Sequence, residues 1–236
     1  MELNKSHWTQ KDIGAFQKYL ASFSKGEEKS KWEQRICNTT LPCLAVPSTI
    51  VKDIAKKIAK GNFLEFLDFW VWDNLSNTFI NGYLICQIKD FCVFEKYLNI
   101  YANKCDNWAS TDTLKFKITN KNKCDFFTLS QKYVKSKKPF VRRIGLIILL
   151  KLLNFGDFVD QTLTIANSFY DEKEYYVNMM NAWLVCEAFI KFRDKTLVLL
   201  KNKTLNKFTQ NKAISKCHDS FRVRDEDKEL LKIYRI

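Results

Sequence analysis

A chain of 236 residues is long enough for one or two domains with a self-sufficient core, so no disulfide or metal is needed to hold it together. Lysines and arginines number 39 against 26 acidic residues, and the net charge of +13 with a pI near 9.3 favours a polyanionic partner, nucleic acid before membrane. The longest apolar run, 144–150, is far short of the roughly 20 residues that cross a bilayer, so no membrane partner is expected. No apolar leader follows Met1, and the eight cysteines are expected to be reduced thiols in a cytoplasm. They form no Cys-x-x-Cys pair, and the only histidines are His7 and His218, so neither a metal nor another cofactor is expected.

Three prolines and six glycines punctuate the chain, and apolar residues recur every three or four positions, which predicts an all-α protein with no strand. Thr9 and Asp12 are placed as a capping box for a first helix whose stripe is Ile13, Phe16, Leu20 and Phe23, with Gly26 ending it. A charged turn over 25–31 follows. Through 32–48 the pattern weakens, and Pro42 and Pro47 read as a helix end and an extended loop. Ser48 is placed to cap a helix with the stripe Val51, Ile54, Ala55 and Ile58, stopped by Gly61. Further helices are expected over 63–72, 75–89 and 93–102, then one carrying Trp108 and Asp112. Another helix leads to Lys137 and Lys138, and Pro139 suits the first turn of a helix over 140–153 that opens with Arg142 and Arg143. Asp171 and Glu174 are spaced as a capping box before a helix from Tyr175 through Trp183. A helix over 207–223 and a short charged one from Asp225 close the chain. The connections are too short to separate domains, so 1–236 reads as one.

Trp108 and Asp112 stand four residues apart and project from one helical face. An interfacial Trp beside a solvated Asp is the plain reading; an aromatic plane and a carboxylate that together stabilise positive charge is the sharper one. Trp72 to Trp108 is 36 residues, Trp108 to Arg143 is 35 and Arg143 to Trp183 is 40, a spacing expected for one helix pair per unit of an α-solenoid. On that period Trp72, Trp108, Arg143 and Trp183 sit on successive inner helices and line a concave, basic, nucleic-acid groove. Lys115, Lys117, Lys137, Lys138, Lys212 and Lys216 flank it as phosphate contacts, and Lys56 falls on the outer face.

The blocks Asn107-Trp108-Ala109-Ser110-Thr111-Asp112, Pro139-Phe140-Val141-Arg142-Arg143, 175–183 and 211–216 resemble, in order and spacing, the DNA alkylation repair family of HEAT-like repeat proteins, which includes the AlkD-type DNA glycosylases. The resemblance covers about 32–235. It implies a curl of antiparallel HEAT-like helix pairs around duplex DNA, and excision of N3- and N7-alkylated purines by glycosidic hydrolysis without base flipping. It places Asp112, Trp108 and Trp183 in the catalytic cleft and Arg143 on the DNA backbone, with Arg142 facing solvent or a phosphate. The implied protein is a monomer of a bacterial cytoplasm, associated with the nucleoid. The chain departs from the family at 35–47, where Ala45 stands in place of an expected glycine, no arginine follows Val46 and no tyrosine is found. In this it resembles a smaller branch that lacks the N-terminal lesion-recognition helix. Three functions remain open: a glycosylase for cationic alkylpurines, a non-catalytic binder of distorted or branched DNA, and a scaffold for an acidic protein.

Overall fold

A computed structural model describes all residues from Met1 to Ile236. The chain is all-helical: α1 (Gln10–Ala21), α2 (Glu27–Cys37), α3 (Ser48–Ile58), α4 (Phe63–Asp68), α5 (Leu75–Ile85), α6 (Phe91–Lys104), α7 (Trp108–Asp112), α8 (Lys123–Tyr133), α9 (Pro139–Leu152), α10 (Val159–Ser168), α11 (Tyr175–Lys191), α12 (Arg193–Asn202), α13 (Lys207–Asp219) and α14 (Asp225–Lys232). No helix is long and apolar enough to cross a membrane. The helices fall into two compact units, residues 1–117 and 118–236.

In the first unit α5 is the axis, packed against α3, α4, α6 and α7. It buries polar as well as apolar residues, and its neighbours satisfy them: the Asn81 amide donates to the Val71 carbonyl at 2.8 Å, and the Thr78 and Ser110 hydroxyls share a hydrogen bond of 2.8 Å. Gly82 lets α6 and α7 close on α5, since a Cβ there would lie 2.9 Å from the Tyr101 hydroxyl and 3.2 Å from the Thr113 methyl. The Thr9 and Asp12 capping box forms as expected, and Ile13, Phe16 and Leu20 are buried. The stripe Val51, Ile54, Ala55 and Ile58 is buried too, although Pro47 rather than Ser48 holds the cap position of α3.

In the second unit α9 packs on α11 and α11 on α13, with α8 against α9, α10 and α12 against α11, and α14 against α13. That pattern is the one a stacked helical repeat gives. Polar ties fix the layers: Asn181 donates to the Ala166 carbonyl at 2.8 Å, and the Arg193 guanidinium grips Asp227 from 2.8 Å, joining α12 to α14.

Several elements differ from the sequence reading. The charged turn at 25–31 is the start of α2, which Gly26 enters at φ 88° and Glu27 and Glu28 open with favourable charge. Helices α10 and α12 lie in stretches where none was expected. No capping box forms at Asp171 and Glu174; instead the Glu172 carboxylate accepts the backbone N–H groups of Lys173 at 3.0 Å and Glu174 at 2.9 Å. Trp72 lies in the loop before α5, not on a helix, with Tyr101 edge-on at 5.2 Å, so the period cannot begin there.

Ala45 sits at φ 50°, the left-handed region that favours glycine, and donates its N–H to the Glu33 carboxylate at 2.9 Å. The turn at which the resemblance led glycine to be expected therefore holds a glycine conformation with alanine in place. Ala45→Gly is expected to raise stability by about 0.5–1 kcal/mol, read as a higher urea midpoint; no gain would show that the turn carries no strain.

Candidate nucleic-acid interface

Helix α7 is a single turn, and three neighbours hold it. Asn107 caps it, accepting the Ser110 N–H at 2.8 Å; Ser110 also bonds Thr78 of α5, and its carbonyl accepts the Tyr101 hydroxyl at 2.9 Å. Trp108 opens the turn and Asp112 closes it, so ring and carboxylate share a flank, both half-buried. The Trp108 indole N–H donates to the Ile36 carbonyl at 3.1 Å, which leaves the ring lying against the end of α2. The Thr111 hydroxyl approaches the Asp112 carboxylate at 3.4 Å.

Asp106 locks this arrangement. Its carboxylate accepts the Thr39 hydroxyl at 2.8 Å, the Thr40 N–H at 2.9 Å and the Asn107 amide at 2.7 Å, tying the loop after α2 to the turn before α7. Burial pushes its pKa up, but the hydrogen bonds from Asn107, Thr40 and Thr39 together outweigh it and hold the carboxyl below the usual carboxylate value of 3.8. Because the folded pKa is depressed, the stability it contributes is full above the unfolded pKa of about 3.9 and is lost as pH falls through the folded value. Asp106→Asn is expected to cost about 1–2 kcal/mol at pH 7, with the gap closing below about pH 4. Urea melts across the acid range test this, and a gap that stayed constant to low pH would remove Asp106 from the lock.

Sequence reasoning missed an exposed apolar flank on α2, the helix whose Ile36 carbonyl accepts the Trp108 indole N–H. Trp32 and Ile36, four residues apart on α2, are 57% and 47% exposed. Their spacing was the available signal, obscured because α2 buries only Cys37 and carries no apolar stripe. It missed a basic groove as well: Lys52 and Lys56, one turn apart on α3, with Lys60 in the turn just past its end and Lys115, line a cavity of about 460 Å³ together with Ala55, Ala59 and Tyr83. Lys56 is thus not on a face apart from the expected DNA contacts, because it shares this groove with Lys115. Lys115 and Lys117 are exposed on either side of the buried Phe116.

In the second unit Trp183 stands 40% exposed on α11, which excludes a plain core role. Both arginines differ from expectation. Arg142 gives Nε and Nη2 to Glu172 at 2.7 and 2.9 Å and Nη1 to the Ser136 and Lys137 carbonyls at 2.9 and 3.0 Å, so its fork is occupied within the protein rather than by solvent or phosphate. Arg143 is 5% exposed, and its Nη1 donates to the Tyr176 carbonyl at 2.7 Å, which makes it a tie between α9 and α11 in place of an open phosphate fork. Lys137 and Lys138 are exposed at the start of α9, and Lys212 and Lys216 are half-buried on α13. His218 is exposed.

A basic, all-helical chain with an aromatic and carboxylate pair on one turn is an arrangement suited to a cationic group within a polyanion. Among curated protein sequences none matches the chain. A protein-family model described as DNA alkylation repair enzyme matches residues 16–216, from α1 to α13. The chain therefore belongs to the DNA alkylation repair enzyme family, with DNA as the partner its charge calls for.

Proposed function

We propose that this protein is a DNA glycosylase that hydrolyses the N-glycosidic bond of cationic N3- and N7-alkylpurines in duplex DNA without base flipping, acting as a monomer. The observation that carries the reading is the Trp108 and Asp112 pair, fixed on one turn by Asn107, Thr78 and Tyr101, in a member of this family. An alkylated purine already carries positive charge, so its bond to C1′ is weak. As that bond breaks, the electron pair leaves with the base, which departs neutral, and the charge passes to the deoxyribose. The Asp112 carboxylate stabilises that sugar cation and orients a water whose oxygen bonds C1′, the proton passing to solvent. The ring face at Trp108 contributes cation–π attraction of roughly 0.5–2 kcal/mol. Trp32 and Ile36 add exposed apolar surface on α2, and the four lysines Lys52, Lys56, Lys60 and Lys115 supply sequence-independent phosphate attraction. The Arg143 tie and Arg142 clamp hold helix positions rather than DNA.

Incubation with duplex DNA containing 7-methylguanine is expected to release the free base and leave an abasic site. One observation favours a second reading, a binder of distorted or branched DNA without excision: at 44–47 the chain keeps the backbone turn but lacks the family's glycine and arginine. Tight binding of alkylated duplex with no base released would favour it.

A further inference from the structure

We propose that a partly exposed aromatic row across the starts of α9, α11 and α13 is a stacking platform for the unpaired bases of single-stranded DNA. This rests on DNA as partner and is independent of excision. Phe140 and Tyr176 lie 5.9 Å apart between ring centroids, Tyr176 and Tyr175 5.1 Å, and Tyr175 and Phe208 5.6 Å. The rings on either side of Tyr175 meet it at 81° and 64°, edge to face, so they do not cover one another as a stack would. Tyr175 is 55% exposed and Phe208 38%, while Phe140 and Tyr176 are half-buried. Large aromatics left open in a run on a well-packed unit mark an interaction surface.

The platform is braced from beneath. Arg142 joins the 136–137 turn before α9 to Glu172 before α11, and the Asn206 amide before α13 donates to the Glu172 carbonyl at 3.1 Å and the Tyr170 carbonyl at 3.3 Å. The three helix starts are thereby bonded in sequence, and the rings they carry hold their spacing.

Charge selects the occupant. Lys207 and Lys212 rim an open cavity of about 530 Å³ that Phe208 lines with Asn211 and Ser215. Of the acidic groups before α11, Asp171 is paired with Lys173 at 2.6 Å and Glu172 sits in the Arg142 fork, which leaves Glu174 against the two lysines. A positive rim beside open rings matches a phosphate backbone carrying free base faces. A duplex cannot use the rings, because its bases are stacked on one another, whereas every unpaired base offers a π-face.

The test is fluorescence anisotropy with labelled oligo-dT, an abasic strand of the same length, and a duplex. The wild type is expected to hold oligo-dT more tightly than the abasic strand. The double variant Tyr175→Ala with Phe208→Ala, both at exposed positions, is expected to weaken oligo-dT binding about tenfold or more, leaving the abasic strand and duplex unchanged. Tyr175→Trp keeps a ring there, so it is expected to retain binding and also guards against a folding defect in the alanine variant. Equal affinity of the wild type for oligo-dT and the abasic strand, or an alanine variant that holds oligo-dT as tightly, would overturn the platform. Release of 7-methylguanine from duplex by the same variants is a separate readout, so failure of excision and failure of the platform are distinguishable.

Discussion

Asp112→Asn is expected to lower release of 7-methylguanine from duplex DNA by on the order of 10²–10³-fold while leaving duplex affinity unchanged. The substitution keeps the shape of the side chain and its place at the end of α7, where Ser110, Thr78 and Tyr101 fix the turn independently of it. What it removes is the negative charge, whose attraction is felt when the sugar becomes cationic and scarcely before. An interaction made only in the transition state shows in the rate and not in binding. Single-turnover release of base, with enzyme in excess, measures it, and anisotropy with uncleaved duplex supplies the binding control. An Asn variant that released base at the wild-type rate would take Asp112 out of the mechanism, and the family position would then be structural in this chain.

How far the sequence was readable follows from what each residue touches. Helices α1 and α3 were legible because each buries one stripe at three- and four-residue spacing, with Thr9 and Asp12 marking the start of the first. Helix α2 was not, since only Cys37 is buried and its polar residues look like a turn. The Asp171 and Glu174 spacing misled because Glu172 competes for the same backbone donors and is itself oriented by Arg142, thirty residues earlier in the chain. Counting a period from Trp72 failed because spacing records residue type and not whether the residue lies on a helix. That Trp108 and Asp112 share one flank was legible because one helical turn relates them. The lock at Asp106 was not, because its partners Thr39 and Thr40 lie 67 and 66 residues away.

Arg143 is the sharpest case, because a residue expected to hold phosphate is buried against a backbone carbonyl 33 residues on. Its role predicts a different phenotype. Arg143→Ala would leave the Tyr176 carbonyl without this donor and open a void between α9 and α11, so a loss of about 3 kcal/mol is expected, a large share of a domain's stability. Arg143→Lys keeps the charge but replaces the planar fork with a single flexible ammonium, and is expected to fall between. Urea denaturation of all three proteins gives the midpoints. The discriminating measurement is a salt titration of duplex binding below the unfolding transition. A residue that neutralises a phosphate releases counterions when it binds, so its loss flattens the plot of log affinity against log salt by about 0.9. A buried tie does not, and the slope for Arg143→Ala is expected to equal the wild type's while its urea midpoint drops. A flattened slope with unchanged stability would return Arg143 to the DNA backbone and show that the guanidinium leaves Tyr176 when duplex binds.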